Sequence, residues 1–315
     1  HLKPKAKRVI FLFMSGGPSQ LDTFDYKPDL KKLYGTDLPA SVRGNQRLTG
    51  MTANQSNFPI APSIFDFKQH GESGTYVSEL LPYTAKIVDD ICVIKTMHSE
   101  QINHDPAMTF LQSGFQLPGR PSLGSWLSYG LGSGNKNLPD HMILTSQGNY
   151  KSAQPLLSRF WGPGFLPSKY QGVKLRSAKD PVLFLNDPTG GGKNDQLAML
   201  DTLAKLNKHR YNFSGNEEIN TRIAQYEMAF RMQTSVPELV DTSKETKETY
   251  ELYGEDARKP GTFAANCLQA RRMIEKGVNF VQLFHTGWDH HDSVTKYHPT
   301  LCKETDQASA ALITD

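Results

Sequence analysis

Three short runs of apolar residues have the pattern of β-strands that are buried on both faces. They cover residues 8–14, 91–94 and 278–284, and a shorter run at 142–144 predicts a further strand. Continuous apolar runs rich in β-branched residues are typical of parallel strands that have helices on both sides. We therefore expect a mostly parallel sheet.

Segments with helical periodicity separate these strands. Long helices are predicted over 195–209, 217–233 and 261–276, and shorter ones over 28–34, 78–88, 106–113, 122–131 and 303–315. Strands that alternate with helices predict an α/β fold. We expect one domain over residues 1–315, with long surface excursions at 36–75 and 149–192, where glycine and proline are frequent.

Acidic residues and histidines follow three of the predicted strands. In chain order these are Asp22 and Asp25, then His104 and Asp105, then Asp289, His290 and His291. Ligands of parallel α/β sheets bind beyond the carboxyl ends of the strands. We therefore expect three separate segments to converge at one edge of the sheet.

The segment 287–292 reads Gly-Trp-Asp-His-His-Asp and is the first candidate site. Its two imidazoles and two carboxylates are residue types that bind metal ions. In an extended loop Asp289 and His291 point the same way and can bind one ion together. The alternative is a solvated polar loop in which Asp292 caps the next helix.

The second candidate site lies at the start of the predicted helix 106–113. Proline is favoured in the first helical turn, so Pro106 places Asn103, His104 and Asp105 at the N-cap. Backbone N–H groups at a helix N-terminus attract anions such as phosphate or sulfate. His104 can be a metal ligand, a base or a nucleophile there. The alternative is plain capping, with His104 packed against its neighbours.

The third candidate site is the segment 15–25, which reads Ser-Gly-Gly-Pro-Ser-Gln-Leu-Asp-Thr-Phe-Asp. Gly16 and Gly17 allow the backbone to approach a ligand closely. The segment is not a Walker phosphate loop, because no Gly-Lys-Ser/Thr follows. A purely structural turn is the alternative.

The composition of the chain argues against several classes of protein. Hydrophobic residues make up 37% of the chain, charged residues 21%, and the net charge is +3, so nothing suggests the clustered basic face of a nucleic-acid binder. The longest apolar run, 9–14, is far shorter than the roughly 20 residues of a membrane helix. The three cysteines form no CxxC pair, which excludes a disulfide framework and a zinc ribbon.

Five segments occur in an order that is typical of one protein family. They are RVIFLFMSGGPSQLDTFD at 8–25, NHDPA at 103–107, GRPSLGSW at 119–126, AFRMQT at 229–234 and GWDHH at 287–291. With these motifs the chain resembles domain-of-unknown-function family fifteen hundred and one. Its members are uncharacterised exported bacterial proteins grouped with the sulfatases and alkaline phosphatases. The resemblance runs from about residue 6 to the last residue.

The resemblance implies an alkaline-phosphatase-like α/β/α sandwich with a metal site at the strand ends. Asp22, and Asp289 with His291, match metal positions of the family. Members often carry a twin-arginine leader, which implies an exported, periplasmic or extracellular protein whose leader is absent from this chain. In the family the helix near Lys303 leads into a further strand and further ligands, so we expect the chain to be truncated at its C-terminus.

The resemblance also places His104 at the position of the sulfatase nucleophile. Sulfatases have Cys or Ser there, in a Cys-x-Pro-Ser-Arg motif, whereas this chain has His104, Pro106 and Met108 at the first, third and fifth positions. The formylglycine of sulfatases cannot be made from histidine. We favour His104 as a metal ligand beside a metal-activated water over a covalent phosphohistidine.

The leading hypothesis is a metal-dependent hydrolase of a small or polymeric sulfate or phosphate ester. His104 is the catalytic candidate, Asp22, Asp289 and His291 are the metal ligands, and Asp25, Asn103, Asp105 and His290 are second-tier candidates. Mixed aspartate and histidine ligands favour zinc or manganese over calcium. Two alternatives stay open: a non-catalytic binding or surface-assembly protein, and a phosphomutase-like enzyme that uses His104. The oligomeric state is left open.

Overall fold

A four-stranded parallel sheet lies at the centre of the fold. The computed structural model describes residues 3, 5–132, 134–148, 154–175 and 192–315. The strands of this sheet are β1 (Val9–Ser15), β4 (His141–Gln147), β5 (Val173–Lys174) and β6 (Phe280–Thr286). Their order is β1-β6-β4-β5, and β2 (Phe67–His70) and β3 (Thr75–Ser78) form a separate antiparallel hairpin. The predicted α/β class with a parallel sheet is confirmed.

Helices make up most of the rest of the described chain. They are α1 (Ala40–Arg43), α2 (His104–Ser113), α3 (Leu123–Leu131), α4 (Lys193–Ser214), α5 (Glu217–Val240), α6 (Lys247–Tyr253), α7 (Phe263–Glu275) and α8 (Val294–Thr314). Short 3₁₀ helices cover Gln20–Asp22, Pro28–Lys31, Thr84–Asp90, Ser158–Trp161, Ser168–Tyr170 and Glu255–Arg258. Within the described ranges, no helix has the length and hydropathy that crossing a membrane requires.

Side chains of β4 and β6 alternate between two apolar cores. On one face of the sheet, Leu144 and Leu283 lie in a core with the apolar residues of α7. On the other face, Ile143 and Phe284 lie in a core with Met108 of α2. All seven residues of β6 are buried. Helices therefore cover both faces of the sheet, as the continuous apolar runs predict.

The predicted long helices are confirmed as α4, α5 and α7, and the short one at 122–131 is confirmed as α3. The last helix, α8, begins at Val294 and not near residue 303. Pro299 lies in its second turn, where proline removes a backbone donor and disfavours a helix. The sequence pattern alone therefore places the start of this helix too late.

The strand predicted at 91–94 is wrong. These residues form no strand, Cys92 is exposed, and Ile94 is 63% exposed. In the sheet, β6 pairs with β1 on one side and with β4 on the other. A run of only four apolar residues does not distinguish a strand from a loop whose alternate side chains are half-buried, as those of Ile91 and Val93 are.

The helix predicted at 78–88 is also wrong. Ser78 ends β3, and the helical turns belong to the 3₁₀ helix Thr84–Asp90. The buried carboxylate of Asp306, in α8, accepts hydrogen bonds from the backbone N–H groups of Tyr83 and Thr84 at 2.7 and 2.9 Å. This contact between distant parts of the chain sets the start of the helical turns, and no local pattern reveals it.

The first predicted surface excursion, 36–75, lies wholly within the described residues, whereas the second, 149–192, lies only partly within them. No residue of the segment 36–75 is buried. In the second segment, residues 149–153 and 176–191 lie outside the described residues.

His141 is a buried histidine at the start of β4, so it lies at the end of the sheet opposite the strand carboxyl ends. It is 1% exposed, and a Cβ atom at Gly124 or Gly172 would collide with its ring. Its Nε2 lies 3.4 Å from Oε1 of Gln282. Burial lowers the pKa of His141 to about 4, so the folded protein holds this imidazole in its neutral form.

We expect the free energy of unfolding to fall as the pH drops from about 6.5 to about 4. In that window the unfolded chain protonates His141 at its ordinary pKa of 6.5, whereas the folded chain does not. The loss from this residue approaches about 3 kcal/mol. Urea denaturation of the wild type and of His141→Gln, at about pH 7 and about pH 4.5, measures it. The pH dependence should be weaker in the variant, and an identical dependence in both proteins would contradict the prediction.

Candidate metal centre

The loops that follow β1 and β6 lie against each other at the carboxyl edge of the sheet. The parallel register pairs Ser15 with Thr286, and the Trp288 N–H donates to the Ser15 carbonyl at 3.2 Å. Gly16 has a φ of 116°, and a Cβ atom there would collide with the backbone of Asp289. A glycine is therefore needed for the Asp289 loop to pass this close to the end of β1.

Helix α2 brings His104 to the same edge. The side chain of Asn103 caps the helix by accepting a hydrogen bond of 3.1 Å from the Asp105 N–H. His104 is therefore the first helical residue, two positions before the helix start predicted at Pro106, and only Asn103 of the three predicted capping residues is the N-cap.

Two buried side-chain contacts hold α2 on the sheet. The Ser15 hydroxyl donates to Sδ of Met108 at 3.2 Å, and the Gln282 amide of β6 donates to Gln112. Met108 is 5% exposed and lies in the apolar core beneath the helix, with Ile143 and Phe284.

His104, Asp289 and His291 form one cluster, in which a ligand atom of each residue lies within 4.8 Å of the others. Nε2 of His104 is 3.1 Å, and Nε2 of His291 is 2.8 Å, from Oδ1 of Asp289. The other carboxylate oxygen, Oδ2, accepts a hydrogen bond of 2.6 Å from the Gln154 amide. The Asp289 side chain is 8% exposed, against 35% for His104 and 47% for His291. The cluster therefore opens to solvent on its imidazole side.

Asp289 supplies a negative charge at the buried base of the cluster. Burial disfavours this charge, but the Gln154 amide, then His104 and His291, outweigh it and hold the pKa of Asp289 below its ordinary value. Within the described ranges, no lysine or arginine forms an ion pair with Asp289. The groups that face this carboxylate in the described ranges are therefore the Gln154 amide and the two imidazoles.

The three residues fit a divalent metal ion. Two imidazole nitrogens and a carboxylate are donors that zinc, manganese and related ions accept. A neutral imidazole offers a lone pair at the same Nε2 atom that faces Asp289 here. Three protein ligands leave coordination positions for water or substrate. Gln154 holds the second carboxylate oxygen and so orients the ligand.

Asp22 and Asp25 are not in this cluster. Asp22 lies at the end of the 3₁₀ helix after β1, and its negative charge acts on His298 and Cys302. Asp25 forms an ion pair with Lys27. The structure thus joins three of the four principal candidates and places Asp22 beside α8.

The remaining second-tier candidates have structural partners. Asn103 caps α2, and Asp105 forms an ion pair with Arg159. The ring of His290 stacks on the ring of Tyr297, with a centroid distance of 6.4 Å.

The sequence reasoning missed two side chains next to the cluster, Gln154 and Arg159. Both come from the segment after β4, which has no periodicity, and they contact residues 135 and 54 positions away. One sequence signal points to this segment. Ligands bind beyond the carboxyl ends of parallel strands, so the residues that follow the strand at 142–144 are also candidates for the site.

Comparison with known proteins identifies a family but no characterised relative. No curated protein and no solved structure matches the chain significantly. The family model described as "Protein of unknown function (DUF1501)" matches residues 6–315. Because this match covers nearly the whole chain, the protein belongs to the DUF1501 family.

Proposed function

We propose that this protein is a metal-dependent hydrolase of an anionic ester, a sulfate or a phosphate, which acts outside the cytoplasm. The observation that carries the proposal is the convergence of His104, Asp289 and His291 within 4.8 Å at the edge of the sheet. An alkaline-phosphatase-like fold, as the sequence motifs suggest, agrees with a ligand site at this edge.

A divalent metal at this cluster would polarise the ester oxygen and lower the pKa of a bound water. The chain's own residues provide the setting for that chemistry. Asp289 and the two imidazoles hold the ion, and Gln154 keeps the carboxylate in place. The half-exposed imidazole side leaves room for the ester to approach.

Arg159 is placed to bind the anionic group of the substrate. One Nη atom of its guanidinium contacts Asp105, the neighbour of His104, and its side chain is 31% exposed. The guanidinium has further donors, and its planar fork can donate to two oxygens of a sulfate or phosphate group at once, which an ammonium group does less well. The N-terminus of α2 adds a favourable dipole for an anion. Arg159 thus supplies from another segment the positive charge that Met108 does not.

The geometry favours a ligand role for His104 over a covalent phosphohistidine. Nε2 of His104 points at Asp289, into the cluster, at 3.1 Å. A histidine that attacks phosphorus through Nε2 needs this nitrogen free for in-line attack. The contact with Asp289 supports the hydrolase over the phosphomutase-like alternative.

Asp289→Asn should lower the turnover of a chromogenic sulfate or phosphate ester by at least about a hundredfold, with the fold retained. The amide keeps the shape of the side chain but removes the charge that attracts the metal. Turnover by the Zn²⁺- or Mn²⁺-loaded protein, together with metal content by plasma mass spectrometry, measures the effect.

Asp29→Asn is the matched control, because Asp29 forms an exposed ion pair with Lys32 away from the cluster. It should leave both metal content and turnover unchanged. Full activity in Asp289→Asn, or no turnover of either ester class by the metal-loaded wild type, would overturn the proposed hydrolase.

Arg159→Lys should raise KM for the anionic ester about tenfold or more, while the metal content stays as in the wild type. Lysine keeps the charge but loses the planar pair of donors. Arg120→Lys is the control, because Arg120 is an exposed arginine that stacks on Phe115. Equal KM values in all three proteins would exclude Arg159 from substrate binding without affecting the metal assignment.

A further inference from the structure

The helical hairpin of α4 and α5 is joined to the rest of the molecule through α5. Met232, Val236 and Leu239 of α5 are buried in the apolar core that contains the residues of α7. Within the described residues, α4 contributes no side chain to an apolar core, and its main packing partner is α5. The 22 residues of α4 make it about 33 Å long. A long helix is therefore packed along one side only.

Three apolar side chains form an exposed ridge on a second side of α4. Met199, Leu206 and Phe213 are spaced by two helical turns each, so they lie in line along the helix. They are 57%, 64% and 93% exposed, whereas Leu200 and Tyr211, on the packed side, are half-buried. Single exposed apolar residues are common, but an aligned row leaves an apolar strip in water. Such a strip is typical of a surface that binds a partner.

The α4 ridge (Met199, Leu206 and Phe213) is complementary to itself. Asp195 lies one turn before Met199, and Arg210 lies one turn after Leu206, so both exposed charges flank the ridge. Three pairs share one centre, between positions 202 and 203: Met199 with Leu206, Asp195 with Arg210, and Gly192 with Phe213. A two-fold axis at this centre places the members of each pair opposite each other in two antiparallel copies of α4. An apolar side chain then meets an apolar one, an acid meets a base, and Phe213 meets a glycine.

The charges of α4 are divided along its length in the same sense. The first half holds one lysine and two aspartates, a net charge of −1, whereas the second half holds Lys205, Lys208 and Arg210, a net charge of +3 with histidine neutral. Antiparallel copies bring the acidic half of each helix against the basic half of the other, and parallel copies would bring like charges together. The helix dipoles also favour the antiparallel arrangement.

We propose that the α4 ridge is a self-association surface, on which the α4 helix of a second copy of this chain packs antiparallel. A second copy fits this surface because each feature of the ridge finds its complement in the same helix of the copy. The pairing buries Met199, Leu206 and Phe213, which water otherwise surrounds. The inference does not rest on the proposed hydrolase activity, because self-association is measured without substrate.

Sedimentation equilibrium of the full chain, between about 1 and about 200 µM, should show wild-type monomers in exchange with dimers. Leu206→Glu should raise the dissociation constant of the dimer at least about tenfold, because it places a charge within the apolar ridge. Ile64→Glu is the matched control, since Ile64 is also 64% exposed but lies before β2, outside the hairpin of α4 and α5. It should associate as the wild type does.

A charge exchange tests the antiparallel arrangement. Arg210→Glu places like charges opposite each other and should raise the dissociation constant about fivefold or more. The double variant Asp195→Lys/Arg210→Glu restores opposite charges and should return the constant to within about twofold of the wild type. Loss of helix or of folding cannot produce this recovery.

A wild type that stays monomeric at about 200 µM would overturn the proposal. So would a Leu206→Glu variant that associates as tightly as the wild type, or a double variant that associates no more tightly than Arg210→Glu. A chain that forms the dimer but hydrolyses no ester contradicts only the proposed function.

Discussion

The in-register pairing of β1 with β6 is the constraint on which the rest of the structure depends. It places Ser15 beside Thr286, so the loops after both strands start at the same level of the sheet. The two loops can then continue side by side only because residue 16 is a glycine that leaves space for the backbone of Asp289. The Ser15 hydroxyl also holds α2 through Met108. One pair of strand ends therefore sets the position of every ligand in the cluster.

The buried carboxylate of Asp289 distinguishes this edge of the sheet from an ordinary solvated loop. Removing an ionised carboxylate from water is unfavourable unless donors or a counter-charge replace the lost hydration. Gln154 satisfies one oxygen, while the other faces two half-exposed imidazoles. Imidazole nitrogens of this kind can offer a lone pair to a cation. The surroundings thus stabilise the negative charge of Asp289, and the imidazole side of the cluster stays open to solvent.

Much of the fold and part of the site could be predicted because they depend on local patterns. The continuous apolar runs at 8–14 and 278–284 correspond to β1 and β6, and the Asn103-to-Pro106 signal corresponds to the cap of α2. The failures have a common physical origin. The segment 78–88 begins its helical turns where Asp306 accepts backbone hydrogen bonds, and Gln154 reaches Asp289 across 135 positions. Such contacts are set by tertiary packing, which no window of sequence contains.

The geometry of the loop 287–292 explains why its two histidines lie in different surroundings. Side chains of an extended segment alternate in direction, so Asp289 and His291 lie on one side, where His104 joins them. His290 points away from them and lies beside Tyr297 and His298 of α8. A solvated loop would leave all these groups in water, yet Trp288, Asp289 and His298 are buried. Polar groups are therefore buried on both sides of one short segment. This burial distinguishes the loop from a solvated turn.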